Sequence, residues 1–200
     1  MLLVEDTLIP TSALPVSDFR DHLRLGTGFG DETLQDGLLE RQLRAAVAAI
    51  EARTGKILIA RTFTWTLANW QDGQVQALPV APVDAVTSLT LVSRDGQETV
   101  VDTAAWNLVP DAHRPALSTS ATALPAVPTN GRARIGFRAG FGPDWADVPP
   151  DIAQATLLLA AHFYEYRHSA EGRGVDIPAD VATMIAPHRR MRIHLGGRSA

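Results

Sequence analysis

Apolar positions change period twice along this chain of 200 residues. Up to Thr54 they recur at Leu39, Leu43, Ala46, Val47 and Ile50, the spacing of one helix face, with Leu34 and Leu38 widening the stripe. Asp31 can cap the start of this helix, and Gly55 suits the left-handed residue that closes it. Glu40 and Arg44 are spaced as an i,i+4 ion pair on the polar side. A shorter helix is predicted upstream at "DFRDHLRL", capped by Ser17, with Phe19 and Leu23 on one face and Gly26 at its end. Residues 1–16, punctuated by Pro10 and Pro15, read as an extended arm.

From Lys56 the period falls to two. "RTFTWTLANW" puts Phe63, Trp65 and Leu67 on one face and threonines on the other, as a half-buried strand does. "VTSLTLVSRDGQETVV" is two strands about Asp95-Gly96, a hairpin signal. "AWNLV", "PALS" and "RARIGFRA" supply further short strands, separated by prolines at 79, 82, 110, 115, 125, 128 and 143. That rhythm predicts an antiparallel sandwich or barrel rather than a βαβ sheet.

Helical spacing returns at Pro150, suited to a first helical turn, and runs to about Arg167. Ile152, Ala155, Leu158, Leu159, Phe163 and Tyr166 make its apolar side broad for a surface helix. A glycine-bearing break, "SAEGRGVDIP", precedes a last short helix, "PADVATMIA", interrupted near Pro187. The fold class is therefore α+β: N- and C-terminal helices pack together, with an antiparallel β block inserted between them. In residue numbers the organisation is an arm over 1–16, a helical core from 17–55 and 149–186, a β insertion over 56–148, and a tail over 187–200.

Composition narrows the function. The chain is 46% hydrophobic and 20% charged, ordinary for a globular protein. A net charge of −4 gives no whole-molecule attraction to nucleic acid or acidic lipid. No cysteine is present, which removes disulfides, thiolate catalysis and Cys-type zinc sites. "MLLVEDTLIP" has acids where a signal peptide needs basic residues, and no apolar run reaches membrane-span length, so a soluble, unexported protein is expected. Lys56 is the only lysine among 18 basic residues; an arginine-biased codon usage explains this, as would a preference for bidentate contacts.

No stretch carries the residue pattern of a catalytic or ligand-binding motif. "RIGFRAGFGPDWADVPPDIAQ" follows the strand–glycine loop–helix order of phosphate sites, but it lacks the P-loop Lys-Ser/Thr pair and the dinucleotide glycine spacing. Pro149 and Pro150 remove amides from the helix mouth, while Asp144, Asp147 and Asp151 would repel phosphate. The aspartates also lack the order of a calcium loop. Histidines 22, 113, 162, 168, 188 and 194 form no HExxH, and no GxSxG elbow occurs. Catalytic, cofactor and metal residues are accordingly none.

The C-terminus differs. "PHRRMRIHLGGRSA" carries Arg189, Arg190, Arg192 and Arg198 without an acid, while Met191, Ile193 and Leu195 alternate between them. It reads either as a solvated tail or as a docking arm that combines ionic contacts with an added strand or groove-filling residues.

These segments together resemble the head–tail connector (adaptor, or head-completion) proteins of long-tailed phages and phage-like gene transfer agents. The resemblance rests on "LPVSDFRDHLRL", "LLERQLRAAVAAIEARTGKILIARTFTWTL", "LPVAPVDAVTSLTLVSRDG" and "FRAGFGPDWADVPPDIAQATLLLAAHFYEYR" in that order, over roughly residues 14–168. Residues 110–130 and the last thirty match the family only loosely. It implies a helical core with a β-sandwich-like insertion, and a ring of subunits, expected dodecameric, between the portal protein and a tail-side connector or stopper. DNA would pass through that ring without sequence-specific binding. It further implies no enzymatic activity and no cofactor. Portal docking then falls to Arg189, Arg190, Met191, Arg192, Ile193, His194 and Leu195, and the broad helix supplies subunit-interface candidates Leu158, Leu159, Phe163 and Tyr166. Two other readings compete. One is a β-sandwich module binding sugar or a host surface through Trp65, Trp70 and Trp106; the other is a nonspecific DNA binder acting through the basic tail.

Overall fold

The computed structural model describes residues 1–25, 35–166 and 177–189. Its helices are α1 (Val16–His22), α2 (Asp36–Thr54), α3 (Pro150–Glu165) and α4 (Ala179–Ile185). Its strands are β1 (Leu2–Glu5), β2 (Arg61–Leu67), β3 (Val75–Ala77), β4 (Val83–Val92), β5 (Glu98–Val100), β6 (Trp106–Val109), β7 (Ala116–Thr119) and β8 (Arg132–Ala139). The architecture is the expected α+β mixture.

The helices form where the periodicity places them. Leu39, Leu43, Ala46, Val47 and Ile50 are all buried on α2, and Gly55 closes it at φ 69° with its N–H donating to the Glu51 carbonyl. The helix begins at Asp36; the proposed cap, Asp31, lies outside the described residues, as do Gly26 and Leu34. Ser17 lies inside α1, whose cap position is Pro15, so it donates to the Asp18 carboxylate instead of capping. α2 packs on α3, and α3 on α4 and α1. Together they enclose one core around Phe19, Leu43, Ile50, Ile152, Leu159 and Val181.

The β insertion holds two antiparallel sheets, with strand orders β1-β2-β8-β4-β5 and β3-β7-β6. Phe63, Trp65, Ile135 and Phe137 from the larger sheet and Trp106 and Leu117 from the smaller share a second core. Phe63 and Phe137 stack in it with ring centroids 5.6 Å apart. β2 alternates as predicted, with Arg61, Phe63, Trp65 and Leu67 buried and the threonines half-exposed. The predicted hairpin joins β4 to β5, with Gly96 at φ 82° in its turn.

Residues 1–16 are not simply an extended arm. β1 pairs along β2, Asp6 and Thr7 continue the attachment to Thr62, and Ile9, Ala13 and Leu14 are buried in the helical core. This stretch therefore links the edge of the larger sheet to the helical core.

Candidate functional site

The glycine loop after β8 closes on itself. Gly140 adopts φ 141° and lies so close to the Ala60 backbone that a Cβ would collide with it. Its N–H donates to the Pro82 carbonyl at 3.0 Å, and the Gly142 carbonyl accepts from Ala60 N at 2.8 Å. Asp144 and Asp147 form a reciprocal capping box, the Asp147 carboxylate accepting from Asp144 N at 3.0 Å. Asp151 turns to the helix end, accepting from Ile152 N at 2.9 Å and meeting His188 Nε2 at 2.5 Å. Every backbone and carboxylate group just named is engaged locally, and the loop returns the chain from sheet to helix.

Burial pushes the Asp151 carboxyl up, but the hydrogen bond from His188 and that from Ile152 N outweigh it and hold the group below its ordinary value. The pair ties the start of α3 to the 3-10 turn Ala186–His188, the last described element before the basic tail.

Arg61 joins the two cores. Its Nη1 and Nη2 donate to Glu51 of α2 at 3.0 and 2.6 Å, and its Nε lies 2.7 Å from Glu5 of β1, off the hydrogen-bonding direction. Its guanidinium carbon sits 5.4 Å from the Phe63 ring centroid. Burial opposes the charge, yet the hydrogen bonds and charge of Glu51, with the charge of Glu5, hold Arg61 above its ordinary value. Glu51 also accepts from Leu58 N at 2.9 Å. Sequence reading placed Arg61 at the start of a strand; its phase with Phe63 and Trp65 was the signal that it points inward.

The predicted interface residues divide. Leu159 is buried in the chain's own helical core, on the helix that packs against α2. Leu158 and Phe163 are half-buried, and Tyr166 is 52% exposed beside the His162 ring, with centroids 4.6 Å apart. In the tail, Arg189 is exposed, while Arg190, Met191, Arg192, Ile193, His194 and Leu195 lie outside the described residues.

The tryptophan platform is not built. Trp65 and Trp106 are buried in the β core, and Trp70 is half-buried with its indole N–H donating to the Pro125 carbonyl at 2.8 Å. The outer face of the larger sheet carries Thr62, Thr64, Thr66, Arg134 and Arg138. Both arginines are matched, Arg138 by Asp84 and Arg134 by Glu98, so they add no free positive field. Among the described residues, no three His, Asp or Glu side chains gather as metal ligands, and no helix is long and apolar enough to cross a membrane.

The Arg61 cluster thus joins the helices to the larger sheet, and the groups of the glycine loop are engaged within the chain. No protein-family model and no curated protein matches the chain. Solved structures do. A chain of the "Neck of empty GTA particle computed with C6 symmetry" is 50% identical over all of both chains, with a TM-score of 0.89. One from the "Virion of native gene transfer agent (GTA) particle" is 50% identical over the same full span, at 0.86. A third, from the "Neck of native GTA particle computed with C12 symmetry", is 46% identical over all of both chains, at 0.84. The chain belongs to the family of these gene transfer agent neck proteins.

Proposed function

We propose that the protein is a non-catalytic adaptor that forms a ring at the neck of a phage-like particle, between the portal and a tail-side connector. The carrying observation is the full-length likeness, at 46–50% identity, to chains of particle necks. The sixfold and twelvefold symmetry of those necks supports a ring, and the twelvefold one agrees with a dodecamer. DNA passes through the ring without sequence-specific contact, and assembly takes place in the bacterial cytoplasm. The helical core (17–55 and 149–186) seats the subunit, and the β insertion (56–148) extends from it. Leu158, Phe163 and Tyr166 contribute to the contact between subunits.

The tail docks on the portal through Arg189 to Leu195. Residues 187–200 contribute +4 to a chain of −4, so the rest sums to −8 and the segment where docking is assigned carries a net positive charge of its own. Imaging of particles made without this protein tests the adaptor reading: filled heads lacking tails are expected, and normal infectious particles overturn it. Removing residues 190–200 is expected to leave the melting curve unchanged while abolishing portal attachment. Heads that still recruit the truncated chain overturn the docking assignment alone.

A further inference from the structure

Exposed apolar side chains follow the sheet edges. Leu2, Leu3 and Val4 lie on β1, Val100 on β5, Val75 on β3 and Val109 on β6, and each of these is the outer strand of its sheet. An edge strand offers unpaired N–H and C=O groups, which proteins that stay monomeric blunt with lysine, proline or a covering segment. β1 ("LLVE") and β5 ("ETV") contain neither Lys nor Pro, and all seven residues are exposed. The one acid on each is already engaged within the chain, Glu5 by Arg61 and Glu98 by Arg134.

The register makes the two edges a matched set. Leu2 stands opposite Thr66, Thr66 opposite Arg134, Arg134 opposite Thr90, and Thr90 opposite Val100. Directly opposed residues share a face, so this is one transverse row across the sheet. It is polar in the middle and ends on an apolar side chain at each edge, Leu2 at 61% and Val100 at 74% exposure. All four pairings are antiparallel, so β1 and β5 run in the same direction.

We propose that β1 of one copy pairs edge to edge with β5 of the next copy around the ring, in parallel, linking the five-stranded sheets into a continuous band. The inference rests on the ring reading above. A closed ring needs two different, complementary patches on each subunit, and the two edges of this sheet are such a pair. Rotation about the ring axis preserves the direction of a strand along that axis, which the common direction of β1 and β5 satisfies. The pairing gives partners to the outward backbone N–H and C=O groups of both edge strands, and it brings Val100 against Leu2 of the neighbour.

The cysteine-free chain makes the test clean. Cysteines are placed pairwise at Leu2, Leu3 or Val4 and at Thr99 or Val100, and the variants are assembled into particles and oxidised. Within one chain the edges are four strand spacings apart, roughly 19 Å, beyond the ~7 Å Cα reach of a disulfide. A ladder of covalent multimers is therefore expected from at least one pair and from no single-cysteine variant. Necks that contain the variants by immunoblot yet give no ladder with any pair overturn the pairing and leave the adaptor reading standing. Dimers from Leu2→Cys alone also overturn it, because β1 would then meet itself across a twofold. Absence of the wild-type chain from particle necks overturns the adaptor reading, and the pairing with it. Independently, Leu2→Lys with Val100→Lys is expected to keep the wild-type melting temperature while incorporation into necks is lost; normal incorporation overturns the proposal.

Discussion

In the helical core, α3 is flanked by α1, α2 and α4, and the large apolar side chain left exposed at its end is Tyr166. In the β insertion, the exposed apolar side chains line the outer strands of both sheets. A helix satisfies its own backbone along its length, so what it leaves open is a question of side chains. A sheet always leaves two rows of backbone groups unless it closes or is covered. The helical part therefore offers neighbours a side-chain surface, and the β part offers them a backbone template. Arg61 stands between the two, bonded to Glu51 on one side and beside Glu5 and Phe63 on the other.

The largest expected effect comes from emptying either core. Phe137→Ala removes one ring of the stacked pair and is expected to cost about 3–5 kcal/mol; Leu43→Ala, in the helical core, about 2–5 kcal/mol. Denaturant unfolding followed at 222 nm and by tryptophan fluorescence checks both. If the cores are coupled, the two signals move together in each variant; separate shifts would break the idea of a single cooperative unit. Arg61→Ala comes next. It leaves the largely buried Glu51 carboxylate without its partner, at a cost of about 3 kcal/mol. Here the helical and tryptophan transitions are expected to separate, whereas coincident curves would show that coupling runs elsewhere.

The two glycines with contrasting surroundings come third. Gly140→Ala meets both a positive φ and the Ala60 backbone, and is expected to cost about 2 kcal/mol. Gly55→Ala has a positive φ but open space, so about 1 kcal/mol is expected. Equal losses would remove the steric part of the argument.

The smallest effect concerns Asp151. Its folded value is depressed, so its contribution is present at neutral pH and fades as pH falls through the carboxylate range. The side chain is partly exposed, so Asp151→Asn is expected to cost only a few tenths of a kcal/mol at pH 7. It should also flatten the acid limb of the melting temperature against pH. An unchanged acid limb would mean the His188 contact does not persist in solution.

Local pattern carried much of the fold. The α2 stripe, the β2 alternation, the Asp95-Gly96 hairpin and the Pro150 helix start each depend on neighbours within a few residues, and each is found. What escaped depends on distant partners. "MLLVE" has too few residues to show a period, and its pairing with β2 crosses some sixty positions. β3 is three residues long, too short to show an alternation. Among the candidate site residues, helical spacing alone could not separate Leu159, fully buried, from Leu158, half-buried. Arg61 looked like an ordinary strand residue because its acids come from α2 and β1.

The insertion leaves and rejoins the helices at one spot. Ala60 N donates to the Gly142 carbonyl at 2.8 Å, and Phe141 N to the Leu58 carbonyl at 3.3 Å, so the outgoing and returning strands of chain run side by side. A segment whose two ends are stitched together is held at its root whatever its far loops do. Loops at the far end of the β block can therefore change length while this root keeps the outgoing and returning segments in register.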